Sequence, residues 1–274
     1  MSLPLEGLSA IVTGAGRGLG RAEALELARL GAAVVVNDYG QPGRDGSGEA
    51  SATPAEEVAA EIAAAGGRAV AHLGDVSDFE TARGLVDLAV AEFGKLDVLV
   101  NNAGRTHVGS VEETDDAELR SLFDVHVFGP AALTRAVLPY MRARRSGAIV
   151  QLSSVGGQMS MAGFGAYSAT KFALEGMSEA LAAEVNPLGI HVLIVEPGAF
   201  RTSLFGNGSL SPDTIADYTD TVGATRAYVE GGDGGQTGDP AKAAAAVLAA
   251  LNADEKPMRL ALGDDSIDTI YALS

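Results

Sequence analysis

Short apolar runs recur along this chain, separated by longer stretches rich in Ala, Leu and Glu. The runs near Ala10–Thr13, Ala32–Asn37, Arg68–Leu73, Val98–Asn101, Ala148–Leu152, His191–Val195 and Met258–Leu262 are short and aliphatic, which predicts buried strands. The intervening stretches, such as Arg21–Leu30, Pro54–Ala65, Asp78–Phe93 and Pro240–Leu251, predict helices. This alternation predicts an α/β fold: a doubly wound parallel sheet of about seven strands with helices on both faces. No repeat or linker breaks the pattern, so residues 1–274 are expected to form a single domain.

The first strand runs into Thr13-Gly14-Ala15-Gly16-Arg17-Gly18-Leu19-Gly20 and then into a helix. Strand, glycine-rich turn and helix form the context of a dinucleotide site: glycines let the backbone approach a pyrophosphate, and the helix start offers free N–H groups. The glycine spacing is Gly-x-x-x-Gly-x-Gly over Gly14, Gly18 and Gly20. Further along, Tyr167 and Lys171 are spaced one helical turn apart, with Ser154 thirteen residues before the tyrosine. A phenol ionises near pH 10, and an ammonium one turn away is expected to lower that value. With a serine hydroxyl to hold a substrate oxygen, the three make an acid/base site for moving a proton on and off an oxygen.

These motifs, with Asp75-Val76, Asn101-Asn102-Ala103-Gly104 and Pro197-Gly198 followed by Thr202, run in the order of the short-chain dehydrogenase/reductase family, which the chain resembles over nearly its whole length. The resemblance implies a Rossmann-type fold and reversible hydride transfer between a secondary alcohol or ketone and a nicotinamide. Tyr167 would be the general acid/base, Lys171 would lower its pKa and hold the nicotinamide ribose, and Ser154 would orient the substrate oxygen. Asp75 and Val76 would meet the adenine; Asn102, Ala103 and Gly104 would let the backbone pass close to the cofactor. Pro197, Gly198 and Thr202 would border the nicotinamide. Asp38 ends the second strand, where a carboxylate can accept two ribose hydroxyls and would repel the 2′-phosphate of NADP. Arg17 pulls the other way. NAD is expected over NADP.

Composition narrows the remaining choices. A net charge of −17 argues against nucleic acid and anionic membranes, both of which need a basic face. There are no cysteines, which excludes disulfides and thiolate chemistry. The four histidines show no metal-ligand spacing, and no metal is expected. No leader or membrane-spanning run is read in the sequence, so a cytoplasmic protein is expected. The resemblance also implies a homo-oligomer, a tetramer or dimer, built on helices over about 117–144 and 166–187.

One position departs from the family pattern. Asp124-Val125-His126-Val127-Phe128-Gly129 stands where the family usually reads Asn-Val-Asn-Val-x-Gly, so His126 replaces a catalytic asparagine. Either the imidazole joins a proton relay, or only the backbone carbonyl matters and the ring packs beside the catalytic helix. Two polar loops stand out: Gly40–Ser51, and Phe205–Gln236, the core of an expected substrate lid over about 203–236. Met159, Met161, Phe164, Phe200, Leu204 and Phe205 favour a bulky apolar alcohol or ketone. The chain resembles in part the hydroxyacyl-CoA dehydrogenase unit of multifunctional enzymes and in part 17β-hydroxysteroid-type reductases. A 3-hydroxyacyl-CoA dehydrogenase is therefore an alternative, as is a non-catalytic nucleotide sensor.

Overall fold

The computed structural model describes residues 3–40, 52–206, 208–232 and 234–273. Of the loop expected over Gly40–Ser51, residues 41–51 lie outside the described residues. The chain alternates as its pattern predicts. β1 (Ser9–Val12) leads to α1 (Gly18–Arg29), β2 (Ala33–Asp38) to α2 (Pro54–Ala64), and β3 (Arg68–Leu73) to α3 (Phe79–Phe93). β4 (Val98–Asn101) and the two-residue β5 (His107–Val108) precede α4 (Asp116–Phe123) and α5 (Gly129–Arg144). β6 (Gly147–Leu152), α6 (Gly165–Val185) and β7 (Ile190–Pro197) come next. β8 (Ser209–Leu210), α7 (Thr219–Gly231), α8 (Pro240–Leu251), β9 (Arg259–Leu262) and α9 (Asp264–Leu273) complete the order.

Seven strands form one parallel sheet in the order β3-β2-β1-β4-β6-β7-β9. Side chains alternate between its faces. Ala10, Val12, Val34, Val36, Val98 and Val100 enter one core, while Ile11, Val35 and Leu99 enter the other. Both faces are dry, which explains the near-continuous aliphatic runs; each fully buried Val, Leu or Ile contributes about 1.5–3 kcal/mol. Helix starts are written locally as well. Thr53 and Glu56 form a reciprocal capping box with Pro54 in the first turn, and Asp78, Asp115 and Asp239 each cap their helix. α1 is different: Arg17 precedes it and makes no side-chain cap.

The strand order reverses between β1 and β4, the point where open α/β sheets bind ligands outside the carboxyl ends. The structure adds three features at the element level that the sequence pattern does not announce. The helix expected over 117–144 is two helices joined by a π-turn, Asp124–Phe128, in which the Gly129 N–H bonds the Asp124 carbonyl. The wider turn carries a buried His126. β5 and β8 form a separate two-stranded parallel sheet, and α9 follows the last strand. Among the described residues, no helix is long and apolar enough to cross a membrane.

Candidate active site

The glycine turn is held to β4 by one hydroxyl and one amide. Thr13 Oγ1 accepts the N–H groups of Asn102 and Ala103, each at 3.0 Å. Asn102 Nδ2 donates to the carbonyls of Thr13 (2.8 Å) and Gly14 (3.1 Å). The packing leaves no room for side chains: a Cβ on Gly14 would lie 2.8 Å from Ala103 Cα, and one on Gly20 would lie 2.6 Å from the Gly14 carbonyl oxygen. Gly14 and Gly18 also have positive φ, of 60° and 58°, where L side chains are disfavoured. With no side chain capping α1, its first N–H groups remain available to an anion.

Asp38 is fixed at the end of β2 by two backbone donors, Gly16 N–H at 2.9 Å and Gly40 N–H at 2.6 Å. Asp75 accepts the N–H and hydroxyl of Ser77. On the far side, the Gly198 N–H reaches the Leu262 carbonyl at 2.9 Å. The α9 residue Asp265 accepts the Ala199 N–H at 2.8 Å.

α6 presents Tyr167 and Lys171 on one buried face. Ser154 Oγ accepts the Gly156 N–H at 3.0 Å and is hydrogen-bonded to Tyr167. Lys171 Nζ donates to the Leu152 carbonyl at 2.8 Å and lies 5.7 Å from the Tyr167 ring centroid. The electrostatics of the protein alone differ from the sequence expectation. Burial pushes the Tyr167 phenol up from its ordinary value, with Ser154 pulling down, and Lys171 is not among the causes. Burial also brings Lys171 down to about 8, against an upward pull from Glu175. Desolvation is the largest influence on both groups.

His126 is 1% exposed and its ring packs edge-on to Tyr167 at 5.6 Å. Its Nε2 accepts the Arg105 N–H at 3.2 Å. The tautomer follows: Nδ1 carries the hydrogen and donates to Thr170 Oγ1 at 2.8 Å, which in turn donates to the Tyr167 carbonyl at 2.7 Å. Burial first, then Lys171 and Arg105, holds this imidazole well below the usual histidine range. It is a neutral strut between the loop after β4 and α6. Gly104 belongs to the same contact, because a Cβ there would lie 2.8 Å from Nε2.

A cavity of about 580 Å³ runs along the carboxyl ends of the strands, and every site residue expected from the sequence lines it except Gly20, which packs behind Gly14 and Asn102. Phe200, Leu204, Phe205 and Gln236 line it too. Of the other apolar residues expected near it, Phe164 packs 6.0 Å from the Tyr167 ring and Met161 is 53% exposed. Arg105, Thr170 and Asp265 carry no motif in the sequence; only the fold brings them here. The segment between β7 and α8 is anchored along β5 and the loop that follows it. Ser209 and Ser211 N–H bond the carbonyls of Thr106 and Val108. Arg226 of α7 pairs with Glu113 at 2.8 Å, and N–H bonds from Ile215 and Ser110 hold that carboxylate at about 2.

Residues 9–211 match the family model described as short chain dehydrogenase. A short-chain dehydrogenase from Streptomyces avermitilis is 48% identical, superposes with a TM-score of 0.85, and is matched over 93% of its length by 100% of this chain. A short-chain dehydrogenase/reductase from Burkholderia phymatum, solved with NAD, is 25% identical with a TM-score of 0.83; 97% of this chain covers 92% of it. A metagenomic short-chain oxidoreductase, solved with NADP, is 36% identical with a TM-score of 0.63; 72% of this chain covers 85% of it. Sequence motifs, sheet order and these relatives agree: the chain belongs to the short-chain dehydrogenase/reductase family, and it is an oxidoreductase acting on CH–OH groups through a nucleotide-binding Rossmann fold.

Proposed function

We propose that this protein interconverts a secondary alcohol and a ketone with NAD, using Tyr167 as general acid/base. The observation that carries the reading is the meeting of Ser154, Tyr167 and Lys171 in the cavity that also contains the glycine cradle. The cradle fits a dinucleotide: it is bare of side chains where a pyrophosphate would lie and ends at an uncapped helix start. Gly14, Gly18 and Leu19 would hold the pyrophosphate, with Gly20 behind them giving the turn room to pack on Asn102; Asp75 and Val76 would hold the adenine, and Asn102, Ala103, Gly104, Pro197, Gly198 and Thr202 the nicotinamide half. The bound nicotinamide supplies or accepts the hydride. In the reducing direction Tyr167 gives its phenolic proton to the carbonyl oxygen, which Ser154 holds by hydrogen bonding. Lys171 binds the nicotinamide ribose, and its ammonium favours the tyrosinate left behind. Tyr167→Phe keeps the ring and removes that proton; turnover on ketones should fall by about 10²–10⁴-fold with NAD affinity nearly unchanged. Near-normal turnover would overturn the assignment.

For the cofactor, Asp38 supports NAD. Its carboxylate is fixed by two N–H groups at the strand end, where a 2′-phosphate would meet its charge. Asp38→Ala should swing the ratio of kcat/KM toward NADP by about tenfold or more, the equivalent of one charge-assisted hydrogen bond. A wild-type enzyme that already prefers NADP would refute this. Phe200, Leu204 and Phe205 in the cavity wall support a bulky apolar substrate, with residues 203–236 as its cover. Exposed Phe128, Tyr140 and Phe172, on the π-turn, α5 and α6, support a homo-oligomer.

A further inference from the structure

Behind the catalytic lysine lies a cluster of carboxylates that the proposed chemistry does not use. Glu175 sits one turn beyond Lys171 on α6 and is 5% exposed. Its Oε2 accepts from Arg259 Nη2 of β9 at 2.9 Å, and the same nitrogen reaches Glu179 Oε1 at 2.6 Å. Arg259 Nε lies 3.2 Å from Glu196 Oε1, at the end of β7. Gln158 donates to Glu196 at 2.7 Å, and Ser266 of α9 donates to the Glu196 carbonyl at 2.7 Å. Three carboxylates thus share one guanidinium. Glu175 Oε1 is buried without a hydrogen-bond partner, as is Ser153 Oγ. Both border Gly157, where a Cβ would lie 2.6 Å from the hydroxyl and 3.2 Å from the carboxylate oxygen.

A buried carboxylate with an open oxygen is costly where an aliphatic side chain would pack. Arg259 holds only its Oε2, and the next cation is Lys171, one turn back on the same buried face of α6, so the use of this carboxylate is electrostatic. We propose that Glu175, pinned by Arg259, is a positioning residue for Lys171: it supplies along α6 the counter-charge that keeps the lysine ammonium cationic at the cavity. This rests on the reading of Lys171 given above. The other groups around the lysine cannot do the same. On α6 itself Tyr167 is a neutral phenol, β6 offers only the Leu152 carbonyl, the π-turn offers the neutral His126, and Arg105 from the loop after β4 is itself a cation. Burial draws the lysine down, and among the described residues Glu175 is the carboxylate that opposes it. Within the cluster, burial and then Glu175 push Glu196 up.

The chain has four lysines, Lys95, Lys171, Lys242 and Lys256, so a protein labelled with ¹³Cε-lysine yields a spectrum simple enough to follow each one. The signal missing from Lys171→Arg assigns Lys171, and a titration from about pH 6 to 11 gives its midpoint. In Glu175→Gln that midpoint should fall by about one pH unit, and any limb of the kcat profile that follows Lys171 should move with it. Glu175→Asp, which keeps the charge, should stay near the wild type. In Arg259→Gln, which frees the carboxylate and removes a cation, the midpoint should rise. If Glu175→Gln lowers only thermal stability or kcat at every pH, with the midpoint unmoved, Glu175 is structural and the inference is overturned. A Glu175→Gln chain that will not fold leaves the Arg259→Gln arm, where an unmoved or lowered midpoint has the same force. An unmoved midpoint alongside an inactive Tyr167→Phe enzyme sinks this inference alone. A fully active Tyr167→Phe enzyme sinks the reading of the site, whatever Glu175 does.

Discussion

At the scale of residues, the spacing of Tyr167, Lys171 and Ser154 was enough to bring them together in advance, because helix periodicity and strand ends dictate where such side chains go. Their charge states were not legible, since desolvation depends on everything packed around them. His126 shows the same limit. Its partners Thr170 and Arg105 lie 44 and 21 residues away in the chain, so nothing near position 126 announces them. With both nitrogens engaged and the ring neutral, His126→Asn should leave the kcat profile between about pH 5.5 and 10 without a lost limb. It should cost about 1–3 kcal/mol of stability, because asparagine cannot satisfy both buried partners. A missing limb would make the imidazole part of the proton path. Gly104→Ala should be destabilising by about 1–3 kcal/mol through its clash with Nε2. Much of that cost should vanish in a His126→Ala background, and strict additivity in urea unfolding would deny the contact.

At the scale of elements, strands and most helices were legible because aliphatic runs, caps and N-terminal prolines are local signals. The π-turn was not, since its hydrogen-bond register is set by what α5 packs on: a Cβ on Gly129 would lie 2.8 Å from the Val76 carbonyl oxygen. The paired strands β5 and β8 are two residues each, too short for any periodicity. α1 carries a signal of another kind. Glu23 is buried with Oε2 unpartnered, and burial raises its carboxyl from 4.5 to about 8. The folded state therefore binds this proton more tightly than the unfolded chain. The stability it contributes is present below the unfolded value and is lost as pH rises toward 8, at up to about 1.4 kcal/mol per pH unit. Glu23→Gln cannot titrate, so its urea-unfolding free energy should fall less between pH 5 and pH 8 than that of the wild type. Equal slopes would mean that Glu23 is not buried as an acid.

At the scale of the whole molecule, the parallel sheet was legible from the alternation of runs alone, whereas its strand order and the anchoring of the segment between β7 and α8 were not. A net charge of −17 means that the compact state works against its own repulsion, and this is screened over about 8 Å at physiological salt. The thermal midpoint should therefore climb as sodium chloride rises from about 0.01 to 0.15 M, and a flat response would place the acidic groups too far apart to matter. The pairing of β5 with β8 has a consequence for how the molecule is made. His107 and Ser209 are joined across 102 residues, and the span between them includes β6 and β7. Closing so long a loop for two residues of ladder is unfavourable until the intervening sheet is already built. On a ribosome, most of the sheet can assemble before residue 209 leaves the exit tunnel, and the wall over the cavity must wait. Newly made chains should thus acquire most of the native sheet before the β5–β8 wall of the cavity forms, and for that interval they expose the apolar lining to whatever else the cell contains.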